Sequence, residues 1–138
     1  MEVQAWNRTP REAPGIRFVP IDELLETSDV LSLHLLLTDE TRGFLGAARL
    51  AQLKKGALLV NTARGALVDE AALVEALRSG RLAHAALDVF DEEPLPAGHP
   101  LTALPNATLS AHSAFRTPEA SLTLLRRAMD IARSIAAP

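Results

Sequence analysis

The apolar run Leu58-Leu59-Val60 stops abruptly at Asn61-Thr62-Ala63-Arg64-Gly65, and Ala66-Leu67-Val68-Asp69-Glu70 follows. This pattern is a buried strand, a tight polar turn carrying one arginine, and the start of a helix. It puts Arg64 just past the carboxyl end of a strand, the edge at which open α/β sheets bind ligands. Asp69 is placed to accept from the free amides of the helix behind it. Gly80 suits the end of that helix, because glycine takes the left-handed cap conformation without strain.

Other segments repeat the alternation. Strands are expected at 2–6, 30–33, 57–60, 84–89 and 107–110, with a brief extended piece at 17–19. Helical spacing occupies 21–26, 47–53 and 71–77, the last with Leu73, Val74 and Leu77 on one face. Asn7-Arg8-Thr9-Pro10 reads as a turn and 91–105 as a proline-rich loop. A final helix has Thr117 as cap and Pro118 in its first turn. Its apolar stripe through Leu122, Leu125, Met129 and Ala132 is expected to pack. Short strands alternating with helices argue for parallel βαβ units, an α/β sheet domain.

The chain of 138 residues is long enough for one domain with a real core, and 48% apolar with 22% charged residues is globular. A formal charge of −3 without a Lys/Arg run gives no reason to expect nucleic-acid binding. Cysteine is absent, which excludes disulfides and thiolate metal sites. No apolar window is long enough to span a bilayer, and Met1 to Trp6 lacks the features of a signal peptide. These features predict a cytoplasmic protein with neither membrane nor nucleic-acid partners.

Three successive strands end in groups with chemistry to offer: Arg64, then Asp88 with Glu93 beyond it, then His112. Right-handed crossovers put the carboxyl ends of successive parallel strands on one edge, so these groups are expected to share a crevice. An arginine fork binds a carboxylate through two parallel hydrogen bonds. Histidine can give or take a proton near neutrality, and a carboxylate on its far ring nitrogen fixes the tautomer. The set suits a substrate with a carboxylate beside an alcohol or ketone. Oxidising the alcohol requires a hydride acceptor that no side chain supplies, so a nicotinamide cofactor is implied. His34, His84 and His99 are read as structural, with no metal site.

The stretches Asp29-Val30-Leu31-Ser32-Leu33-His34, Thr38-Asp39-Glu40-Thr41-Arg42-Gly43, Val60-Asn61-Thr62-Ala63-Arg64-Gly65, Leu87-Asp88-Val89-Phe90-Asp91-Glu92-Glu93-Pro94 and His99-Pro100-Leu101 occur in this order. From Val3 to about Glu119 the chain resembles the nucleotide-binding domain of the D-isomer-specific 2-hydroxyacid dehydrogenases. The resemblance implies that Arg64 binds the substrate carboxylate and that Glu93 pairs with His112, the acid/base. It places Asp88 at the nicotinamide amide and the backbone of Thr62 and Ala63 against the cofactor. Thr38, Arg64 and His112 also stand on the cofactor side. Asn7, Arg8 and Thr9 match the point where NAD-using members carry an aspartate for the ribose. An arginine there suits a 2′-phosphate, so NADP is favoured over NAD.

The resemblance also implies an incomplete doubly wound, Rossmann-like parallel sheet. No Gly-x-Gly-x-x-Gly loop is present, and the strand before it and the substrate-covering domain are expected to be missing too. The strands at 2–6 and 29–33 should then carry unpaired edges, which favours a homo-oligomer or a complementing chain. Segment 117–138 is expected near an inter-domain hinge, and dimers are usual in the family. Leu36, Ala111 and Phe115 depart from the family pattern, Phe115 where it could narrow the pocket or stack on the nicotinamide. The function implied is hydride transfer between NAD(P)H and a 2-keto or D-2-hydroxy acid, glyoxylate or hydroxypyruvate being the guess. The alternative is a non-catalytic remnant or a nucleotide-linked protein-binding module of the same fold.

Overall fold

A computed structural model describes residues 1–9 and 11–136. Pro10 of the expected turn and the last two residues of segment 117–138 lie outside the described residues. The elements run β1 (Gln4–Ala5), β2 (Arg17–Phe18), α1 (Ile21–Thr27), β3 (Val30–Leu33), α2 (Ala47–Gln52), β4 (Ala57–Asn61), α3 (Glu70–Arg78), β5 (Leu82–Leu87), β6 (Ala107–Leu109) and α4 (Pro118–Ala136). Short 3₁₀ turns at Gly65–Leu67 and Pro100–Ala103 lead into α3 and β6.

All the paired strands are parallel, in the order β3-β4-β5-β6, with β1 and β2 forming a separate two-stranded sheet. Among the described residues β1 pairs only with β2 and β3 only with β4, so each keeps one free edge, as expected. The two sheets are tied by side chains. Trp6 stacks on Phe44 with ring centroids 5.3 Å apart, and Arg8 Nη1 meets Glu40 Oε2 at 2.7 Å.

The register puts Leu31, Leu33, Leu59, Ala85 and Leu87 on one face of the larger sheet. They form a single core with Leu25 of α1, Leu50 of α2 and Leu73, Val74 and Leu77 of α3. Helix α3 forms as its sequence requires. The Asp69 carboxylate accepts the Ala72 amide at 3.0 Å, and Gly80 leaves the helix at φ 70°.

Two expectations need correction. The Leu-rich strands are not buried on both faces: Val30 and Leu58 stand opposite each other on the far face, 52% and 40% exposed. Parallel strands with helices on both sides read as continuous apolar runs, but α1, α2 and α3 cover only the core face. The stripe of α4 does not pack either, since Leu122, Leu125 and Met129 are about half exposed or more. No described helix is long and apolar enough to cross a membrane.

Candidate active site

Arg64, Asp88 with Glu93, and His112 follow the carboxyl ends of β4, β5 and β6. Backbone hydrogen bonds carry the ladder past the strands: the Asp88 amide donates to Asn61 O at 3.0 Å, Ser110 to Leu87 O at 2.9 Å and His112 to Asp88 O at 2.8 Å. The three strand ends are thus stitched together where their chemistry begins.

Asn61, at the end of β4 and 1% exposed, shapes the turn that carries Arg64. Its amide nitrogen donates to Arg64 O at 2.9 Å, and its carbonyl accepts the Ala63 amide at 3.1 Å. The sequence reading did not single out this residue. An asparagine directly after an apolar strand, free to hydrogen-bond backbone two residues on, was the available signal. The Arg64 side chain is exposed and has no carboxylate partner among the described residues.

His112 and Glu93 come together as expected, with Glu93 Oε2 2.7 Å from His112 Nδ1. Glu93 Oε1 accepts the Phe90 amide at 2.9 Å. The bond from His112 and then the Phe90 amide hold the Glu93 carboxyl below the usual range, against partial burial, with the charges of His112 and Arg64 adding to the effect. An ionised Glu93 can only accept, so Nδ1 bears a proton and Nε2 is left as the reactive nitrogen. His112 also adopts φ 49°, the left-handed region that non-glycine residues rarely occupy. Such strain clusters at functional sites.

What holds His112 in that conformation is Asp88, 4% exposed. Its Oδ1 accepts the Ser110 hydroxyl and the Ser113 amide, the latter at 2.9 Å, and its Oδ2 accepts the Ala114 amide at 2.8 Å. Burial pushes this carboxyl up. The bonds from Ser110, Ser113 and Ala114, together with nearby His112, outweigh that and leave it below its ordinary value. Asp88 therefore braces the turn bearing His112. Phe115 stands edge-on to the His112 ring at 6.4 Å between centroids.

The remaining candidates follow the ends of β4, β1 and β3. Thr62 is exposed beside Arg64, and the Ala63 amide is taken by Asn61. Asn7 donates to Thr9 O at 2.9 Å, closing the turn after β1, and Arg8 reaches Glu40. Glu40 belongs to the turn in which the Thr38 amide donates to Thr41 Oγ1 at 2.8 Å. Arg8 and Thr38 thus belong to neighbouring turns. His34 bonds Ser32 and His84 bonds Thr108.

Residues 1–114 match the family described as D-isomer specific 2-hydroxyacid dehydrogenase, NAD binding domain. The chain belongs to this dehydrogenase family. It is 53% identical over 123 residues to a glyoxylate reductase of Aeropyrum pernix, covering 89% of this chain and 36% of that one. Among solved structures, a glyoxylate reductase from Paecilomyes thermophila superposes with a TM-score of 0.88 at 40% identity, over 97% of this chain and 42% of that one. A D-isomer specific 2-hydroxyacid dehydrogenase from Xanthobacter autotrophicus Py2 in complex with NADPH and MES gives 0.78 at 46% identity, over 80% and 36%.

The chain spans about a third of the length of the curated relatives it matches. Both the family and the Rossmann-like fold expected from the sequence are borne out. Two polar groups are left open to a ligand: His112 Nε2, whose other ring nitrogen holds Glu93, and the exposed Arg8 guanidinium. The glycine-rich loop that cradles a pyrophosphate is not among these 138 residues.

Proposed function

We propose that this dehydrogenase domain serves a reductase that passes hydride from NADPH to the carbonyl carbon of a small 2-keto acid, glyoxylate or hydroxypyruvate. The observation that carries the reading is the Glu93–His112 pair at 2.7 Å on the sheet edge that also bears Arg64, exposed and without a carboxylate partner among the described residues. The nicotinamide supplies the hydride when bound. Arg64 holds the substrate carboxylate with its planar fork. Glu93 keeps the proton on Nδ1, so His112 Nε2 delivers the mobile proton to the ketone oxygen, or takes it back in the oxidising direction. Asp88 keeps His112 in place and offers its less engaged Oδ2 to the nicotinamide carboxamide. Thr62 and Ala63 lie against the cofactor. The substrate class draws support from the glyoxylate reductases among the relatives.

For the cofactor, the preference for NADP over NAD rests on Arg8. Its pair with Glu40 is three-quarters exposed on both sides, and such pairs contribute about 1 kcal/mol at most. A 2′-phosphate can therefore recruit Arg8 at little cost, with Asn7 and Thr9 shaping the turn and Thr38 in the neighbouring one. The test is initial-rate oxidation of NADPH and of NADH with glyoxylate. The reading expects NADPH to be favoured at limiting concentration. No turnover of glyoxylate or hydroxypyruvate with either cofactor contradicts it.

The same reading assigns partners. The free edges of β1 and β3, the open face around Val30 and Leu58, and the bare stripe of α4 call for cover by a complementing segment or a second copy. The helix Pro118–Ala136 then serves on the hinge side of a larger, cytoplasmic enzyme. These 138 residues alone should self-associate in sedimentation. A compact monomer with a sharp unfolding transition would contradict that. The alternative, a nucleotide-linked binding module, predicts NADPH binding without turnover.

A further inference from the structure

Two ties hold the loop that bears Glu93 against the segment that bears Arg64. The first is at Gly65, beside Arg64. A Cβ there would collide with the Phe90 carbonyl group and stand 2.5 Å from the Asp91 nitrogen. Only a residue without a side chain lets these two backbones meet. The second tie lies at the far end of the loop. His99 Nε2 is 2.8 Å from Glu70 Oε1, with the side chains only 13% and 33% exposed. His99 Nδ1 accepts the Leu101 amide at 3.3 Å. A nitrogen that accepts carries no proton, so the ring proton sits on Nε2 and is donated to Glu70.

Neither tie touches a reacting group, yet together they bracket the loop 90–99 from both ends. Phe90 is the residue that Gly65 admits, and its amide donates to Glu93 Oε1 at 2.9 Å. The position of the Phe90 peptide therefore sets where Glu93 stands, and Glu93 sets the orientation of His112. Glu70 is the first residue of α3, five positions after Gly65 on the same segment as Arg64. The anchor for the substrate carboxylate and the acid/base pair are thus registered against each other through one short stretch, residues 65–70.

We propose that Gly65, Glu70 and His99 are positioning residues that hold the 90–99 loop so that Glu93 meets His112 in the space Arg64 faces. Their catalytic importance rests on the reductase reading, but their effect on Glu93 does not. When the loop loosens, Glu93 loses the Phe90 amide and part of its contact with His112, and its carboxyl moves up toward an ordinary value. A misplacement of about 1 Å is enough to slow a reaction severely.

The experiment is a carbon-detected NMR titration of the Glu93 carboxyl in the intact protein, with the exposed Glu119 as internal reference. It compares the wild type with Glu70→Ala, Glu70→Gln and Gly65→Ala. Alanine is a strong helix former at the start of α3, so Glu70→Ala keeps the fold while removing the acceptor for His99. The Glu93 midpoint should rise in Glu70→Ala and return in Glu70→Gln, which keeps an acceptor oxygen. It should rise further in Gly65→Ala, with Glu119 unmoved throughout. Where turnover is measurable, Glu70→Ala should lower kcat about tenfold and change KM less than about twofold. A wild-type Glu93 midpoint in folded Glu70→Ala overturns the proposal, as does a Glu70→Gln variant no better than the alanine one. If Gly65→Ala does not fold, the Glu70 pair of variants decides alone. A protein without reductase activity still gives the titration, so failure of the functional reading and failure of this proposal are told apart.

Discussion

Glu93 engages both of its oxygens, Oε2 with His112 Nδ1 at 2.7 Å and Oε1 with the Phe90 amide at 2.9 Å. The imidazole is left with one free nitrogen, Nε2, while Arg64, past the end of β4, has no carboxylate partner among the described residues and donates from Nη1 to Ala63 O at 2.5 Å. Replacing His112 by alanine should lower kcat by about 10²- to 10⁴-fold, the usual worth of a positioned general acid. Glu93→Gln, which can present its NH₂ to Nδ1 and select the wrong tautomer, should cost about 10²-fold in kcat. Steady-state kinetics with NADPH and glyoxylate measure both. Wild-type kcat in His112→Ala would remove the acid/base assignment.

Arg64 has a different signature. Its role is to bind the carboxylate through a fixed fork, which lysine cannot reproduce. Arg64→Lys should raise KM for the keto acid about tenfold or more. The Kd for NADPH should change far less. Equal losses in both would mean that the turn itself had collapsed.

Asp88 and Glu93 titrate below their ordinary values of 3.8 and 4.5 in the folded protein. The unfolded chain therefore binds more protons than the folded one across the interval between the two values. Their contribution is complete above the ordinary value and is lost as pH falls through the folded value. Urea unfolding should show this part of the stability flat above about pH 5 and falling below about pH 4. Asp88→Asn should shallow that acid limb and cost about 2 kcal/mol at neutral pH, because buried bonds to a charged group are broken. An unchanged acid limb in Asp88→Asn contradicts the assignment.

Arg8 carries the cofactor preference. Arg8→Ala should weaken NADPH about tenfold and leave NADH nearly unchanged, since only the 2′-phosphate contact is lost. Glu40→Gln should act the other way and tighten NADPH severalfold, because the pair competes with the phosphate for Arg8. Isothermal titration with both dinucleotides in the intact protein reads this. Parallel losses for NADPH and NADH in Arg8→Ala would refute it.

Much of the site was legible because the chemistry sits at abrupt changes of pattern. Val60-Asn61-Thr62-Ala63-Arg64-Gly65 marks a strand end whatever surrounds it, and β3 spans 30–33 as its apolar run predicts. Asp69 and Gly80 bound α3 by local capping alone. What was not legible depends on partners in space. Leu58 and Leu59 look alike in sequence, but only Leu59 meets a helix. The strand expected at 2–6 shortens to Gln4–Ala5, since its sole partner among the described residues is two residues long. The left-handed conformation of His112 comes from Asp88, 24 positions away, and no local pattern announces it.

The most direct measurement follows the hydride itself. The intact protein is given NADPH deuterated at the transferring position of the nicotinamide, together with glyoxylate, and the glycolate formed is analysed by mass spectrometry and NMR. One deuterium on C2 of glycolate, formed at a rate that collapses in His112→Ala and Arg64→Ala, is the predicted result. Glycolate without deuterium, or no glycolate from protein that binds NADPH, would contradict hydride transfer at this site and leave a nucleotide-binding module in its place.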